Sequence, residues 1–260
     1  MKLSISNIAW PTEWDEEIYF AMQEWGYTGL EIAPTRIFPE DPYENLSKVS
    51  DWYEGMRDRF VIPSMQSIWF GRSEKIFGTE EEREVLLNYT KRAIDFAERI
   101  ECKNLVFGCP RNRVISDKGD QAIAVDFFSE LGAYAQAHHT VIGMEPNPPI
   151  YNTNFLNTTS ETIDFIETVN SSGLKLNVDV GAMIENEESL GCLAGKEGLI
   201  HHVHISEPGL KRILNRRIHG QLGDFLRACG YQGYVSIEMG KQESVDSVVG
   251  VMKYVREQME

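Results

Sequence analysis

Four side chains of the sequence combine residue types that hold divalent metal ions in proteins. They are spaced 34, 25 and 34 residues apart along the chain and are Glu145, Asp179, His204 and Glu238. Each stands at or near the end of a short apolar or β-branched segment. Three carboxylates brought together would repel one another and raise each other's pKa values unless a cation lay among them. Three oxygens and one imidazole nitrogen suit Mn²⁺, Mg²⁺ or Co²⁺, and less clearly Zn²⁺.

One of these segments contains three of the six histidines of the chain, His201, His202 and His204. Side chains alternate between the two faces of a strand, so His202 and His204 share a face. The segment runs directly into Ser206 and Glu207. The sequence therefore predicts a strand over residues 201–206 that ends at a functional site.

The segments that must position these side chains alternate between two periodicities. Apolar or β-branched runs predict eight strands, at residues 3–8, 29–33, 62–68, 104–108, 140–145, 174–180, 201–206 and 233–239. Helical spacing predicts eight helices, at residues 13–25, 45–60, 79–100, 121–137, 160–169, 185–194, 213–228 and 244–257. This alternation predicts an α/β fold, a (β/α)8 TIM barrel, as a single domain over residues 1–260. A doubly wound open sheet is the alternative, but no G-x-G-x-x-G follows the first strand.

Chemistry in such barrels takes place at the carboxyl ends of the strands. These ends supply candidate substrate-binding residues, which are Asn7, Trp10, Glu31, Gln66, Arg111, Asn147, His202 and Glu207. Several have structural alternatives: core packing for Trp10, a salt bridge for Glu31 and solvated loop charge for Arg111. His202 could instead orient a carboxylate behind the metal ligands, and Glu207 could cap the following helix.

The composition narrows the range of functions. A hydrophobic content of 42% with 25% charged residues is typical of a soluble globular domain. No apolar run approaches the roughly 20 residues of a membrane span, and the N-terminus lacks the apolar core of a signal peptide, so we expect a cytoplasmic protein. The net charge of −15 disfavours nucleic acid and anionic membrane surfaces as partners. Four cysteines without C-x-x-C spacing indicate reduced thiols.

The motifs around the four candidate ligands resemble the xylose isomerase-like barrels. They are GMEPN at 143–147, NVDVG at 177–181, HVHISE at 202–207 and SIEM at 236–239, with GLEI at 29–32. Each motif is short, and their order and spacing carry the resemblance over essentially the whole chain. Within this group the sequence is most similar to the sugar phosphate isomerase/epimerase family, which includes the ketose 3-epimerases.

The resemblance implies a divalent-metal-dependent isomerase or epimerase of a small sugar or sugar derivative. In the ketose epimerases two glutamates, an aspartate and a histidine hold the ion, and these correspond to Glu145, Glu238, Asp179 and His204. Glu145 and Glu238 would also be catalytic, one removing a proton next to a carbonyl and the other returning one, through a metal-stabilised enediolate. The implied partner is a small-molecule sugar or polyol, and a homo-oligomer is compatible with the resemblance.

Two positions depart from the ketose 3-epimerase pattern. Ala182 stands where those enzymes usually carry a histidine, and Leu210 lies where an arginine is usual. The substrate therefore stays open, with another polyol, a keto acid or an inosose as alternatives. The reaction also stays open. A metal-dependent dehydratase of a cyclic polyol or inosose could use the same residues, and so could a non-catalytic sugar-binding barrel. The endonuclease IV branch of the fold needs more histidines at strand ends than this sequence places there, and the net charge disfavours DNA.

Overall fold

A computed structural model describes residues 1–116 and 121–260 of the chain. Seven parallel strands form one sheet among these residues. They are β1 (Lys2–Ser6), β2 (Gly29–Glu31), β3 (Asn104–Phe107), β4 (Val141–Met144), β5 (Leu174–Asp179), β6 (Ile200–Ile205) and β7 (Tyr234–Ile237). Their order in the sheet is β2-β1-β7-β6-β5-β4-β3. The first strand thus pairs with the last, which curls the sheet into a barrel, and the predicted α/β barrel fold is confirmed.

The predicted strand at 62–68 is wrong as a regular strand. The chain crosses the gap between β2 and β3 through isolated bridges, which join Val61 to Gly29 and Met65 to both Ile32 and Leu105. Pro63 lies between the bridges and has no backbone N–H to donate to a ladder. The eighth position of the barrel is therefore filled by an extended segment without regular pairing.

Nine α-helices are found in the described ranges. They are α1 (Asp15–Glu24), α2 (Pro34–Ile37), α3 (Leu46–Met56), α4 (Glu80–Arg99), α5 (Gln121–Ala137), α6 (Thr159–Val169), α7 (Val180–Glu185), α8 (Arg217–Ala228) and α9 (Val245–Met259). No helix in the described part of the chain combines the length and hydrophobicity that crossing a bilayer requires.

The predicted helix at 185–194 is wrong. Helix α7 begins immediately after β5, because the Asp179 carboxylate accepts a hydrogen bond from the Ala182 amide and caps the first turn. The helix ends at Glu185, and Glu187 then adopts a left-handed φ of 55°. A short 3-10 helix, Leu190–Leu193, occupies the rest of the predicted range.

The strands bury apolar side chains toward the helices and polar ones inside the barrel. Ile5, Val203 and Ile237 belong to the hydrophobic core between sheet and helices. Inside the barrel Asn104 Nδ2 donates to Ser64 Oγ at 3.0 Å, and Asn104 Oδ1 lies 3.2 Å from His201 Nδ1. The barrel interior therefore contains polar side chains that bond to one another.

The turn into β5 touches helix α5 at Gly173, and this contact sets how β5 sits beside β4. A methyl group at Gly173 would lie 1.9 Å from the Gly132 carbonyl oxygen, far inside contact distance. We expect Gly173→Ala to lower the free energy of unfolding by about 1–3 kcal/mol in urea titrations. Gly55→Ala, at an exposed α3 site with no atom within 4 Å, should raise it by about 0.5–1 kcal/mol. If both variants changed the free energy of unfolding in the same direction, the close contact between Gly173 and Gly132 would be contradicted.

Candidate metal centre and cavity

The four candidate metal ligands converge at the carboxyl ends of β4 to β7. Glu145, Asp179, His204 and Glu238 each offer one ligand atom, and these atoms lie within 4.8 Å of one another. The His204 Nδ1 is 3.0 Å from Glu145 Oε1, 3.3 Å from Glu238 Oε2 and 3.9 Å from Asp179 Oδ2. All four side chains are buried. The four residues, separated in sequence by about one βα unit each, thus meet at the same end of the barrel.

Backbone pairing beyond the strand ends positions the two glutamates. The Glu145 amide donates to the Phe107 carbonyl at 3.1 Å, and the Glu238 amide donates to the Ile205 carbonyl at 2.9 Å. The backbones of Glu145 and Glu238 therefore remain hydrogen-bonded to the neighbouring strands β3 and β6. Gly108 leaves room for the cluster, since a Cβ there would lie 2.8 Å from Glu145 Oε2.

The pKa values of the cluster record an excess of buried negative charge. Burial, together with the charges of Glu145 and Glu238, raises the pKa of Asp179 to about 8. Burial also raises the pKa of Glu238, against the opposing effect of His204. Burial lowers the pKa of His204, but the surrounding carboxylates, Glu31 and Glu238 first, outweigh it and raise that pKa well above its ordinary range. A divalent cation fits this site, because it would offset the charge and is compatible with three oxygens and one nitrogen.

Two supporting residues were not identified from the sequence. The Asn177 amide donates to Glu145 Oε1 at 2.7 Å, and the Ser206 hydroxyl donates to Asp179 Oδ2 at 2.6 Å. Asn177 lies two residues before Asp179, and Ser206 lies two residues after His204. Strand alternation places such neighbours on the same face, so this signal could have identified them.

A cavity of about 220 Å³ opens directly above the cluster. The carboxylates of Glu145, Asp179 and Glu238 form part of its lining. The rest of the lining comprises Val106 of β3 and residues beyond the strand ends, which are Gln66, Ser67, Gly108, Cys109, Pro110, Asn147, Tyr151, Ser206, Glu207 and Leu210. The candidate metal centre and the space for a small molecule therefore form one site.

Three of the predicted substrate-binding residues lie in this lining. They are Gln66, Asn147 and Glu207. Gln66 donates to Ser6 Oγ at 3.0 Å. Glu207 does not cap α8, since its carboxylate forms a bidentate pair with Arg216, with both N–O distances at 2.6 Å. The charge of Glu207 is thereby balanced before any ligand binds.

The other five predicted substrate-binding residues lie outside the lining. Asn7 accepts a hydrogen bond from the Ala33 amide at 2.9 Å, and Trp10 is buried and donates to Asp15 at 2.8 Å. Arg111 is exposed on its loop. The remaining two, Glu31 and His202, are fully buried behind His204. Their positions in the fold therefore do not support direct contact with a molecule in this cavity.

The two departures from the ketose 3-epimerase pattern both lie at the site. Ala182 offers its backbone N–H to Asp179 Oδ1 at 2.5 Å. Leu210 lines the cavity, has a left-handed φ of 53° and is 39% exposed. An apolar side chain thus forms the wall that follows β6.

Comparison with known proteins extends this description. The family model of the xylose isomerase-like TIM barrels matches residues 20–258. A D-psicose 3-epimerase from Enterocloster bolteae is 32% identical over 129 residues, which are 46% of this chain and 40% of that enzyme. The alignment thus spans less than half of this curated relative.

Solved structures show the same fold along their full length. The 3-keto-D-glucoside 4-epimerase from E. coli superposes with a TM-score of 0.79 at 21% identity, covering 99% of this chain and 98% of that one. The D-psicose 3-epimerase from Clostridium cellulolyticum H10, solved with D-tagatose, has a TM-score of 0.75 at 17% identity, covering 100% and 96%. With the family match over nearly the whole chain, it follows that the protein belongs to the xylose isomerase-like TIM barrel family.

Proposed function

We propose that the protein is a divalent-metal-dependent isomerase or epimerase of a small, uncharged sugar or sugar derivative. The observation that carries the proposal is the pair of glutamates, Glu145 and Glu238, which approach the same nitrogen of His204 to 3.0 and 3.3 Å beneath one cavity. The similarity to a D-psicose 3-epimerase and to the fold of a 3-keto-D-glucoside 4-epimerase supports this chemistry.

Glu145, Asp179, His204 and Glu238 would hold the ion. When bound, a divalent ion such as Mn²⁺, Mg²⁺ or Co²⁺ supplies Lewis acidity that stabilises negative charge developing on the substrate oxygens. The protein orients the ligands in advance, because Asn177 and Ser206 hold the carboxylates of Glu145 and Asp179.

The two glutamates would move the protons. One glutamate, as the carboxylate, removes a proton from the carbon next to the carbonyl. The other, in its protonated form, returns a proton to that carbon or to the carbonyl carbon, so the two glutamates exchange protonation states in each turnover. Both carboxylates line the cavity and are tied to neighbouring strands through their own backbones. A substrate held between them can therefore be deprotonated on one face and reprotonated on the other, which inverts the configuration at that carbon.

The charge of the cavity favours an uncharged substrate. Among the described residues that line it, none is lysine or arginine, whereas four are carboxylates. The guanidinium of Arg216 is already paired with Glu207. Arg113 is fully buried and donates to the backbone oxygen of Glu145. A phosphate or carboxylate group on the substrate would thus find no cationic side chain in the lining, while Gln66 and Asn147 can bond hydroxyl groups.

The reaction can be tested by hydrogen exchange in D₂O. We expect the Mn²⁺-loaded protein to incorporate deuterium at one carbon of a free ketose or keto-glycoside, followed by NMR, and to leave the phosphorylated counterparts unexchanged. Product mass separates an epimerase from a dehydratase, because dehydration removes one water. A metal-loaded protein that exchanges no compound of a broad ketose and inosose panel would contradict the proposal and favour a binding barrel.

Substitution of either glutamate should remove this activity. Glu145→Gln and Glu238→Gln are each expected to lower kcat/KM by about 10²–10⁴-fold, because proton transfer by a positioned carboxylate contributes that much. Glu257→Gln, at an exposed position of α9, is the matched control and should keep wild-type kinetics. A similar loss in the control variant, or none in the cavity variants, would count against the assignment.

Metal binding should stabilise the fold, because the cation offsets repulsion among buried carboxylates. At a free metal concentration of 100 times Kd the gain is about 2.7 kcal/mol, so Tm should rise by about 5–10 °C for a chain of this size. Asp179→Asn should reduce the shift strongly in the same thermal melts. Equal shifts in the wild type and Asp179→Asn would show that the ion binds elsewhere.

A further inference from the structure

A fully buried carboxylate lies directly behind the candidate metal ligand His204. Glu31 Oε2, at the end of β2, is 2.7 Å from His202 Nε2 and 3.0 Å from His204 Nε2. The exposed fractions of Glu31, His202 and His204 are 0%, 1% and 0%. One oxygen atom thus joins two imidazole rings in a part of the barrel that water does not reach.

This arrangement determines which nitrogen of His204 carries hydrogen. An ionised carboxylate only accepts hydrogen bonds, so the Nε2 of each ring must be an N–H donor. An imidazole that binds a metal ion is neutral and carries a single N–H, so His204 in that state keeps its Nε2 hydrogen and presents the lone pair of Nδ1. That lone pair faces Glu145 Oε1 at 3.0 Å and Glu238 Oε2 at 3.3 Å. A lone pair and two carboxylate oxygens repel one another unless a proton or a cation lies between them.

We propose that Glu31 is a positioning residue that fixes His204 as an Nδ1 metal ligand. It accepts the Nε2 hydrogen of His204 and so directs the other nitrogen toward the three carboxylates. His202 donates a second hydrogen bond to the same oxygen and holds the Glu31 carboxylate in place. The inference rests on the proposed function, because it concerns the metal centre of that site. Such partners of metal-bound histidines commonly change metal affinity by about 10–100-fold.

The same three residues could be mistaken for a second metal site. Glu31, His202 and His204 also offer ligand atoms within 4.8 Å of one another. However, the Glu31 oxygen and both Nε2 atoms are already joined by hydrogen bonds, and neither Glu31 nor His202 borders the cavity. An ion there would have to displace both N–H hydrogens. The protein is therefore expected to bind one ion per chain.

The ring nitrogens can be observed directly by ¹⁵N NMR of the histidine side chains. Titration with Zn²⁺, which is diamagnetic, should shift the Nδ1 resonance of His204, while its Nε2 resonance keeps the coupling of a protonated nitrogen. A shift at Nε2 with a protonated Nδ1 would overturn the inference. This measurement uses the wild-type chain and does not depend on any variant folding.

Metal affinity supplies the second test, by calorimetric titration with Mn²⁺. Glu31→Gln is expected to raise Kd by about 10–100-fold, and His202→Asn should weaken binding in the same direction by a smaller factor. The matched control is Asp15→Asn, which removes a half-buried carboxylate paired with Arg36 away from the cluster and should leave Kd unchanged.

The outcomes separate this inference from the proposed function. Wild-type affinity in Glu31→Gln, or two ions per wild-type chain, overturns the positioning role alone. A wild-type chain that binds no divalent ion overturns both. Weakened binding in Glu31→Gln in a protein that exchanges no sugar proton supports the positioning role and contradicts the proposed reaction.

Discussion

Repulsion among buried carboxylates is the interaction on which the rest of the site depends. Glu145, Asp179 and Glu238 lie at the carboxyl ends of β4, β5 and β7, on either side of the His204 strand β6, so the geometry of a parallel barrel forces their charges together. Neutral donors, Asn177 and Ser206, offset part of this charge. Burial, together with the remaining charge of Glu145 and Glu238, raises the pKa of Asp179 to about 8. A site with this imbalance is costly unless a cation or a proton occupies it, and this cost is the physical basis of the proposed metal centre.

The polar interior of the barrel supports the site from behind. Most barrels of this type fill their centre with branched apolar side chains, whereas here His202 and Glu31 continue the site one layer deeper. The irregular crossing at Val61 to Met65 has a related consequence. The last isolated bridges of this segment are at Met65, and the next residue, Gln66, lines the cavity. Irregular backbone pairing and buried polar side chains therefore both occur next to the candidate metal centre and its cavity.

Two residues that follow β6 shape the wall of this cavity. Leu210 contributes an apolar wall, and Glu207 enters the lining with its charge already balanced by Arg216. Both residues follow β6, the strand that carries His204. The proposed proton transfer needs only the strand ends, so these loop residues are free to change the substrate without changing the reaction.

The sequence by itself determined the alternation of strands and helices, the barrel, and the four candidate ligands, because periodicity and strand ends are local signals. It did not determine that residues 62–68 lack a regular ladder, because the pairing partners of a strand are distant in sequence. Nor did it determine that α7 starts at Val180, because the start depends on the hydrogen bond by which Asp179 caps the helix. Alternation placed His202 on the same face as His204, and Glu31 was predicted at a strand end, but the sequence did not give the depth of either side chain in the barrel. Only the tertiary structure showed that Glu31 and His202 lie beneath His204, and that Gln66 and Asn147 line the cavity. The physical reason is that the register between strands sets the height of each side chain along the barrel.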